Sequence, residues 1–245
     1  MEWRDEAVIL GVRQHGETAS IVELLTKSHG RHAGVVRGGA SRKWRGVLQP
    51  GNNLLVEWRA RLETHLGHYT IDLQQSRAAI MADRARLRGL NAMTAMAHFA
   101  LPERYPLPDF YTLTQDYLVE LESGPDWLSA FALWEMNLLE ISGYGLDLST
   151  CAVTGQRDDL IYISPKSGRA VSRQGAGEWA QRMLPLPAFM RKGHLSHDLA
   201  EVRQALALNT YFFEHRVLPA IDKSKLPMAR KLLSDHLETR GASSR

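Results

Sequence analysis

Between Ala7 and Leu73 the apolar residues arrive in short bursts rather than at helical spacing. Ala7 to Val12 is apolar and branched, and Ile21-Val-Glu-Leu-Leu25 follows the turn at His15-Gly-Glu-Thr18. Three further bursts follow: Ala33-Gly-Val-Val36, Asn53-Leu-Leu-Val-Glu-Trp58 and Tyr69-Thr-Ile-Asp-Leu73, the last in strict apolar/polar alternation. Gly30, Gly38-Gly39, Gln49-Pro-Gly-Asn52 and Gly67 punctuate them. Five short strands with such turn signals predict a small closed or partly closed barrel, with the OB type the natural candidate and an SH3-like barrel its main rival.

Near Ser76 the period changes. Alanine, leucine and methionine replace the branched residues, and 77–100 carries one glycine and no proline. Phe110, Leu113, Tyr117 and Leu121 share one helical face, as do Trp127, Phe131, Trp134, Leu138 and Ile141. Asp109 is expected to cap the first of these helices, with Pro106 and Pro108 breaking the chain before it. A later helix carries Leu199, Val202, Leu206, Phe213 and Val217, and Lys225 to Glu238 forms a last one. The helices are interrupted at about 148–175, where Leu160-Ile-Tyr-Ile163 between turns predicts a small β hairpin. The expected class is therefore α+β: a barrel domain over 1–78, then a helical domain over 79–245 with a β insertion. Only Gly241-Ala-Ser-Ser-Arg245 reads as disordered.

Charge adds a direction. Residues 1–78 hold 11 basic and 8 acidic side chains, whereas 79–245 hold 19 of each, so the whole formal excess of +3 belongs to the first third. Such asymmetry points to an anionic partner for the barrel. It is concentrated between residues 24 and 56, which contain Lys27, Arg31, Arg37, Arg42, Lys43 and Arg45, with His29 and His32, and no carboxylate. In Arg37-Gly-Gly-Ala-Ser-Arg-Lys-Trp-Arg45 two glycines are expected to loosen the backbone, and an exposed Trp44 sits among cations. Cations and a free indole are what a phosphate backbone and an unstacked base require. The competing reading is a solvated basic loop. A second basic group, Arg216, Lys223, Lys225, Arg230 and Lys231, is interleaved with Glu214, Asp222 and Asp235 and reads as a solvated helix face. Trp127 and Trp134 follow a helical stripe and read as core.

Catalytic signatures are missing: the chain has no phosphate-binding Gly-x-x-x-x-Gly-Lys-Ser/Thr loop, no Gly-x-Gly-x-x-Gly and no Gly-x-Ser-x-Gly elbow. Cys151 is the one cysteine, which excludes an internal disulfide. Nothing local in sequence activates it as a nucleophile, so a packed thiol is expected. His194 and His197 read as surface residues. No apolar run reaches the roughly 18 to 20 residues of a membrane span, and the charged start Met1-Glu-Trp-Arg-Asp-Glu-Ala7 lacks a secretory pattern. A cytoplasmic, nucleoid-associated protein without a membrane partner is expected.

Several motifs occur together in order: Ala7-Val-Ile-Leu-Gly-Val-Arg13 with His15-Gly-Glu-Thr18, Gly34-Val-Val-Arg-Gly-Gly39, Leu48-Gln-Pro-Gly51, Leu138-Leu-Glu-Ile-Ser-Gly-Tyr-Gly145, Ser164-Pro-Lys-Ser-Gly168 and Phe213-Glu-His-Arg-Val-Leu218. Each is short, but their ordered combination over most of the chain resembles the RecO family of bacterial DNA repair proteins. The resemblance implies an N-terminal OB barrel, a helical domain and often an insertion holding zinc through two Cys-x-x-Cys pairs. Cys151 matches the first ligand, while Thr154, Ser172 and Gly175 take the other three places, so no metal is carried over.

The resemblance also implies binding of single- and double-stranded DNA and annealing of complementary strands. The implied partners are RecR, RecF, the acidic C-terminal tail of single-strand binding protein (SSB) and, indirectly, RecA. Arg31, Arg37, Arg42, Lys43 and Arg45 would then line the DNA-contacting side of the barrel, with Trp44 as the stacking residue. The combined reading is a non-enzymatic recombination mediator without a cofactor. Its rivals are a protein-binding adaptor whose basic loop is incidental, a Cys151-dependent enzyme and an OB-type RNA binder.

Overall fold

The computed structural model describes residues 1–242; residues 243–245, the end of the tail expected to be disordered, lie outside the described residues. The chain forms two compact units, residues 1–122 and residues 123 onward. The first begins with β1 (Glu2–His15), β2 (Ala19–Thr26), β3 (Gly30–Val36), β4 (Asn53–Arg59) and β5 (His68–Gln75). All five predicted strands exist, and they close in the order β1-β2-β3-β5-β4. Closure rests on a parallel bridge, Val35 to His68, as in an OB barrel and not in an SH3-like one.

β1 makes this closure possible because it serves two neighbours. Its first half pairs with β4 (Glu2 opposite Arg59, Val8 opposite Asn53), and its second half pairs with β2 from Ala7 to His15. An irregularity between Ile9 and Gly11 bends the strand where the partner changes. Period-two alternation then sorts the side chains. Leu54, Val56 and Trp58 of β4 point inward to meet Ala7, Ile9, Val22, Leu24, Val36 and Tyr69, with Leu48 from the β3–β4 loop filling the same core. Fully burying side chains of this size contributes about 1.5–3 kcal/mol each.

The same parity carries His32 inside. It lies on the inward face of β3 with Gly30, Gly34 and Val36, and its Nδ1 is 2.7 Å from the Tyr69 hydroxyl. Trp3 and Trp58 both meet its ring edge-on. Burial, together with Arg104 and His29, brings the His32 pKa down to about 4, so this residue of the basic run is a neutral core member.

Three helices complete the first unit: α1 (Ala78–Ala82), α2 (Arg84–Ala100) and α3 (Pro108–Ser123). Asp83 separates the first two and caps α2, accepting hydrogen bonds from the Ala85 and Arg86 N–H groups. α3 starts two residues earlier than an Asp109 cap would place it. Pro108 is its first residue and Asp109 lies inside the first turn, where a fixed φ and a negative charge at the positive helix end both favour initiation.

The second unit contains α4 (Trp127–Ile141), β6 (Leu160–Ile163), β7 (Ala170–Ser172), α5 (Arg173–Ala176), β8 (Leu184–Pro185), α6 (Ala188–Lys192), α7 (Leu199–Phe212), α8 (Leu218–Ala220) and α9 (Met228–Ala242). The α4 stripe of Trp127, Phe131, Trp134 and Leu138 is buried as its spacing predicts. Between α7 and α8 the turn widens into a π-helix over Phe213–Val217, so Phe212, Phe213 and Val217 are all buried. The predicted hairpin is instead a three-stranded sheet in the order β7-β6-β8, because the two-residue β8 adds an edge that no propensity signal marked.

One basic residue lies far from its expected place. Arg230, read as part of a solvated face, is 2% exposed and forms a bidentate pair with fully buried Glu135, at 2.5 Å and 2.9 Å. Asn209 also donates toward Glu135, and the Arg230 guanidinium reaches Thr210 and Ser234. Of the charges grouped with Arg230 in sequence, Lys231 and Asp235 share α9 with it and are exposed, and Glu214 and Asp222 lie outside that helix, whereas Arg230 itself points at α4 and α7.

Candidate nucleic-acid interface

The loop from Arg37 to Asn52 carries most of the sequence-predicted site, and it is built rather than loose. Gly38 adopts φ +69°, and a Cβ on Gly39 would lie 2.9 Å from the Ser20 side chain, so the two glycines turn and dock the chain. The Ala40 N–H donates to the Thr18 carbonyl at 3.0 Å. A single 3₁₀ turn, Arg42–Trp44, follows, and the Leu48 N–H donates to the Trp44 carbonyl at 2.8 Å. Asn52, 1% exposed, clamps the far end: its amide donates to the carbonyls of Gly46 and Val47 and its Oδ1 accepts from the Arg77 N–H. Asn52 was not foreseen as a site residue; its signal was only a turn asparagine before a strand.

That turn sets Trp44 apart from its neighbours. Arg42, Lys43 and Arg45 are exposed, while Trp44 is half-buried and packs against the barrel core beside Val47. The expectation of a free indole is corrected: one part of the ring is anchored and the rest lines an open groove of about 860 Å³ with Val36, Arg37, His68 and Ile71. The Lys43 ammonium stands 5.4 Å from the Trp44 ring centroid. Arg59 lines the same groove, but its charge is shared with Glu2 at 2.9 Å and Glu57 at 2.6 Å. No motif marks Arg59 or His68 as groove residues, since strand register alone brings them here.

The cations of the run divide in two. Among the described residues, Arg37, Arg42, Lys43 and Arg45 have no carboxylate within ion-pair distance. Lys27 faces Glu6 at 3.6 Å, and His29 contacts the buried Asp5 at 2.9 Å. Arg31 is engaged on every side: it pairs with Glu23 and with Glu103 (3.3 Å), and its Nε donates to the Leu101 carbonyl at 2.9 Å. Its side chain is 13% exposed. The structure thus brings Arg37, Arg42, Lys43, Trp44 and Arg45 together and holds Arg31 in a separate internal network.

The insertion in the second unit shows what stands where a zinc site would be. The four ligand positions do converge. The Cys151 sulfur accepts hydrogen bonds from the Thr154 N–H (3.4 Å), the Ser172 N–H (3.3 Å) and the Ser172 hydroxyl (3.4 Å), and a Cβ on Gly175 would lie 2.8 Å from it. One thiol, two hydroxyls and a bare backbone do not make a tetrahedral zinc site, so these residues do not fit the metal. No group of metal-ligating side chains occurs among the described residues. Burial raises the Cys151 pKa, but the donors from Ser172 and Thr154 outweigh it and bring the thiol down to about 6. The shift comes from hydrogen-bond donors and not from a cation, and at 1% exposure the thiol is packed, as expected, and closed to a substrate.

Comparison with known proteins agrees with this geometry. The chain matches the family model described as Recombination protein O N terminal over residues 1–77, and Recombination protein O C terminal over residues 81–225. A DNA repair protein RecO of Cereibacter sphaeroides (strain ATCC 17029 / ATH 2.4.9) is 50% identical over 240 residues, covering 97% of this chain and 98% of the relative. That of Roseobacter denitrificans is 52% identical over 231 residues, covering 94% and 95%. That of Ruegeria sp. (strain TM1040) is 48% identical over 241 residues, covering 98% and 100%. A five-strand barrel with an exposed cationic loop, a helical unit and matches along nearly the whole length lead to one conclusion: the chain belongs to the RecO family.

Proposed function

We propose that this chain is a recombination mediator in DNA repair that binds single- and double-stranded DNA through the barrel (residues 1–78) and anneals complementary strands. With RecR it helps load RecA onto DNA coated by SSB, whose acidic tail it contacts. It acts in the cytoplasm at the nucleoid and needs neither a cofactor nor a catalytic residue. The observation that carries this reading is the loop Arg37–Arg45: four cations without carboxylate partners flank an indole anchored at the rim of a groove.

The chemistry required is small. Duplex formation itself supplies the free energy of annealing, so the protein has only to neutralise phosphate repulsion and hold strands close. Arg37, Arg42, Lys43 and Arg45 neutralise phosphates and release counterions, and Trp44 stacks on an exposed base. Contacts of this kind position the backbone and carry little sequence information, so binding is largely independent of sequence. Arg31 contributes through the barrel it braces.

The test is annealing of complementary oligonucleotides coated with SSB, with and without RecR. Acceleration that needs the Arg37–Arg45 cations supports the reading. Binding of SSB or RecR with no change in annealing would instead favour a protein adaptor, and tighter binding to RNA than to DNA of equal length would favour an RNA binder.

A further inference from the structure

Of the six tryptophans, Trp58, Trp127 and Trp134 are buried and Trp3 and Trp44 are half-buried. Trp179 is the exception: 56% of its surface is in solvent. It sits on the 3₁₀ turn Gly177–Arg182 that follows α5, so no core contact explains its size. The Arg182 guanidinium lies over the indole, 4.9 Å from its centroid. Another large apolar side chain, Val153, is 66% exposed on the same insertion, and a Cβ on Gly175 would lie 3.3 Å from it.

The surrounding sequence is biased as the barrel loop is. Residues 160–197 contain Lys166, Arg169, Arg173, Arg182, Arg191 and Lys192 against a single carboxylate, Glu178. Arg169 is neutralised by Asp147 at 3.1 Å and Arg173 by Asp159 at 3.4 Å. Among the described residues, Lys166, Arg182, Arg191 and Lys192 have no carboxylate within ion-pair distance. An exposed ring with a guanidinium laid on it presents a flat cationic π surface, which suits a nucleobase and its phosphate together; a carboxylate would engage the guanidinium alone and leave the indole unused.

We propose that Trp179 and Arg182 form a second contact for single-stranded nucleic acid, in which a base stacks on the indole and the Arg182 guanidinium meets the adjacent phosphate. The proposal rests on the reading of the protein as a strand-annealing mediator, and it supplies what that reading lacks: a place for a second strand on the same chain. The two sites share one chemistry, a cation beside a surface tryptophan, in two separate compact units.

The test uses two dT oligonucleotides that cannot pair, one carrying a donor dye and one an acceptor. Wild-type protein brings them together and gives energy transfer. The double variant Trp179→Ala/Arg182→Ala retains binding of one oligonucleotide within twofold but captures the second at least tenfold more weakly, and anneals complementary strands correspondingly more slowly. Trp179→Phe restores most of the transfer because a ring remains, and an unchanged melting curve shows that the fold is intact. Undiminished transfer in the double variant would overturn the proposal, as would loss of binding to a poly-glutamate peptide with dT capture intact. Failure of the wild type to bind even one oligonucleotide is a different result, which removes the annealing reading and this proposal together.

Discussion

The acid-free run of residues 24–56 has two halves of similar composition and opposite fate. In His29, Arg31 and His32 the positive or titratable groups are drawn into the barrel wall and interior, and exposed Lys27 faces Glu6; in Arg37, Arg42, Lys43 and Arg45 they stand free of carboxylates. The difference is secondary structure. The first half lies in and beside β2 and β3, where sheet register delivers carboxylates from elsewhere: Asp5, Glu6 and Glu23 all come from neighbouring strands. The second half lies in a loop, which has no cross-strand neighbours to neutralise it. A stretch without acids in sequence is therefore not a cationic surface in space unless it also escapes the sheet.

The sharpest way to break this comparison is through pH. His32 has a pKa of about 4 in the folded state against about 6.5 unfolded. Between these values the unfolded chain holds a proton that the folded one does not, so stability falls as pH drops through this window. The loss is about 3 kcal/mol by pH 4, at about 1.4 kcal/mol per pH unit. Denaturant titrations at pH 7, 5.5 and 4.5 measure it, and His32→Gln flattens the difference; equal slopes in the two proteins would place His32 outside the core. Next comes Arg31→Ala, which leaves Glu23 without its guanidinium partner and lowers the unfolding free energy by about 2 kcal/mol. DNA affinity changes less than twofold in the same protein, measured by fluorescence anisotropy. A loss of affinity without a loss of stability would return Arg31 to the interface. The smallest effect belongs to Trp44→Ala, which weakens single-stranded DNA binding about tenfold, within the roughly 1–3 kcal/mol of one stacked base, and leaves duplex affinity nearly unchanged. Equal losses on both substrates would make Trp44 a structural anchor only.

Much of this was legible beforehand, for identifiable reasons. The five strands, the α4 stripe and the missing zinc ligands follow from local periodicity and residue type. The ordered motifs Gly143-Tyr-Gly145 and Lys166-Ser-Gly168 meet only in the fold: with Phe212 and Arg216 they line one small pocket, where Arg216 donates to the Lys166 and Pro165 carbonyls. What escaped depends on long-range pairing. The burial of Arg230 needs Glu135, 95 residues away, to face it. The half-burial of Trp44 needs a 3₁₀ turn against a barrel that exists only once β1 has closed it. The lowered pKa of the Cys151 thiol comes chiefly from Ser172, 21 residues on, with Thr154 adding a smaller share. The exposure of Trp179 is a property of the surface and not of any repeat, so no periodicity marks it.

The central claim is that the loop cations, and not those of the β2–β3 hairpin, meet the phosphates. The most direct measurement is the slope of log affinity against log salt for a dT oligonucleotide. Replacing Arg42, Lys43 and Arg45 with alanine should reduce that slope by about 2, at roughly 0.7 per contact, and weaken binding about 50-fold near 0.15 M salt. The pair Lys27→Ala and Arg31→Ala should leave the slope unchanged within about 0.5. An unaltered slope in the loop variant, or a reduced one in the hairpin variant, would contradict the account.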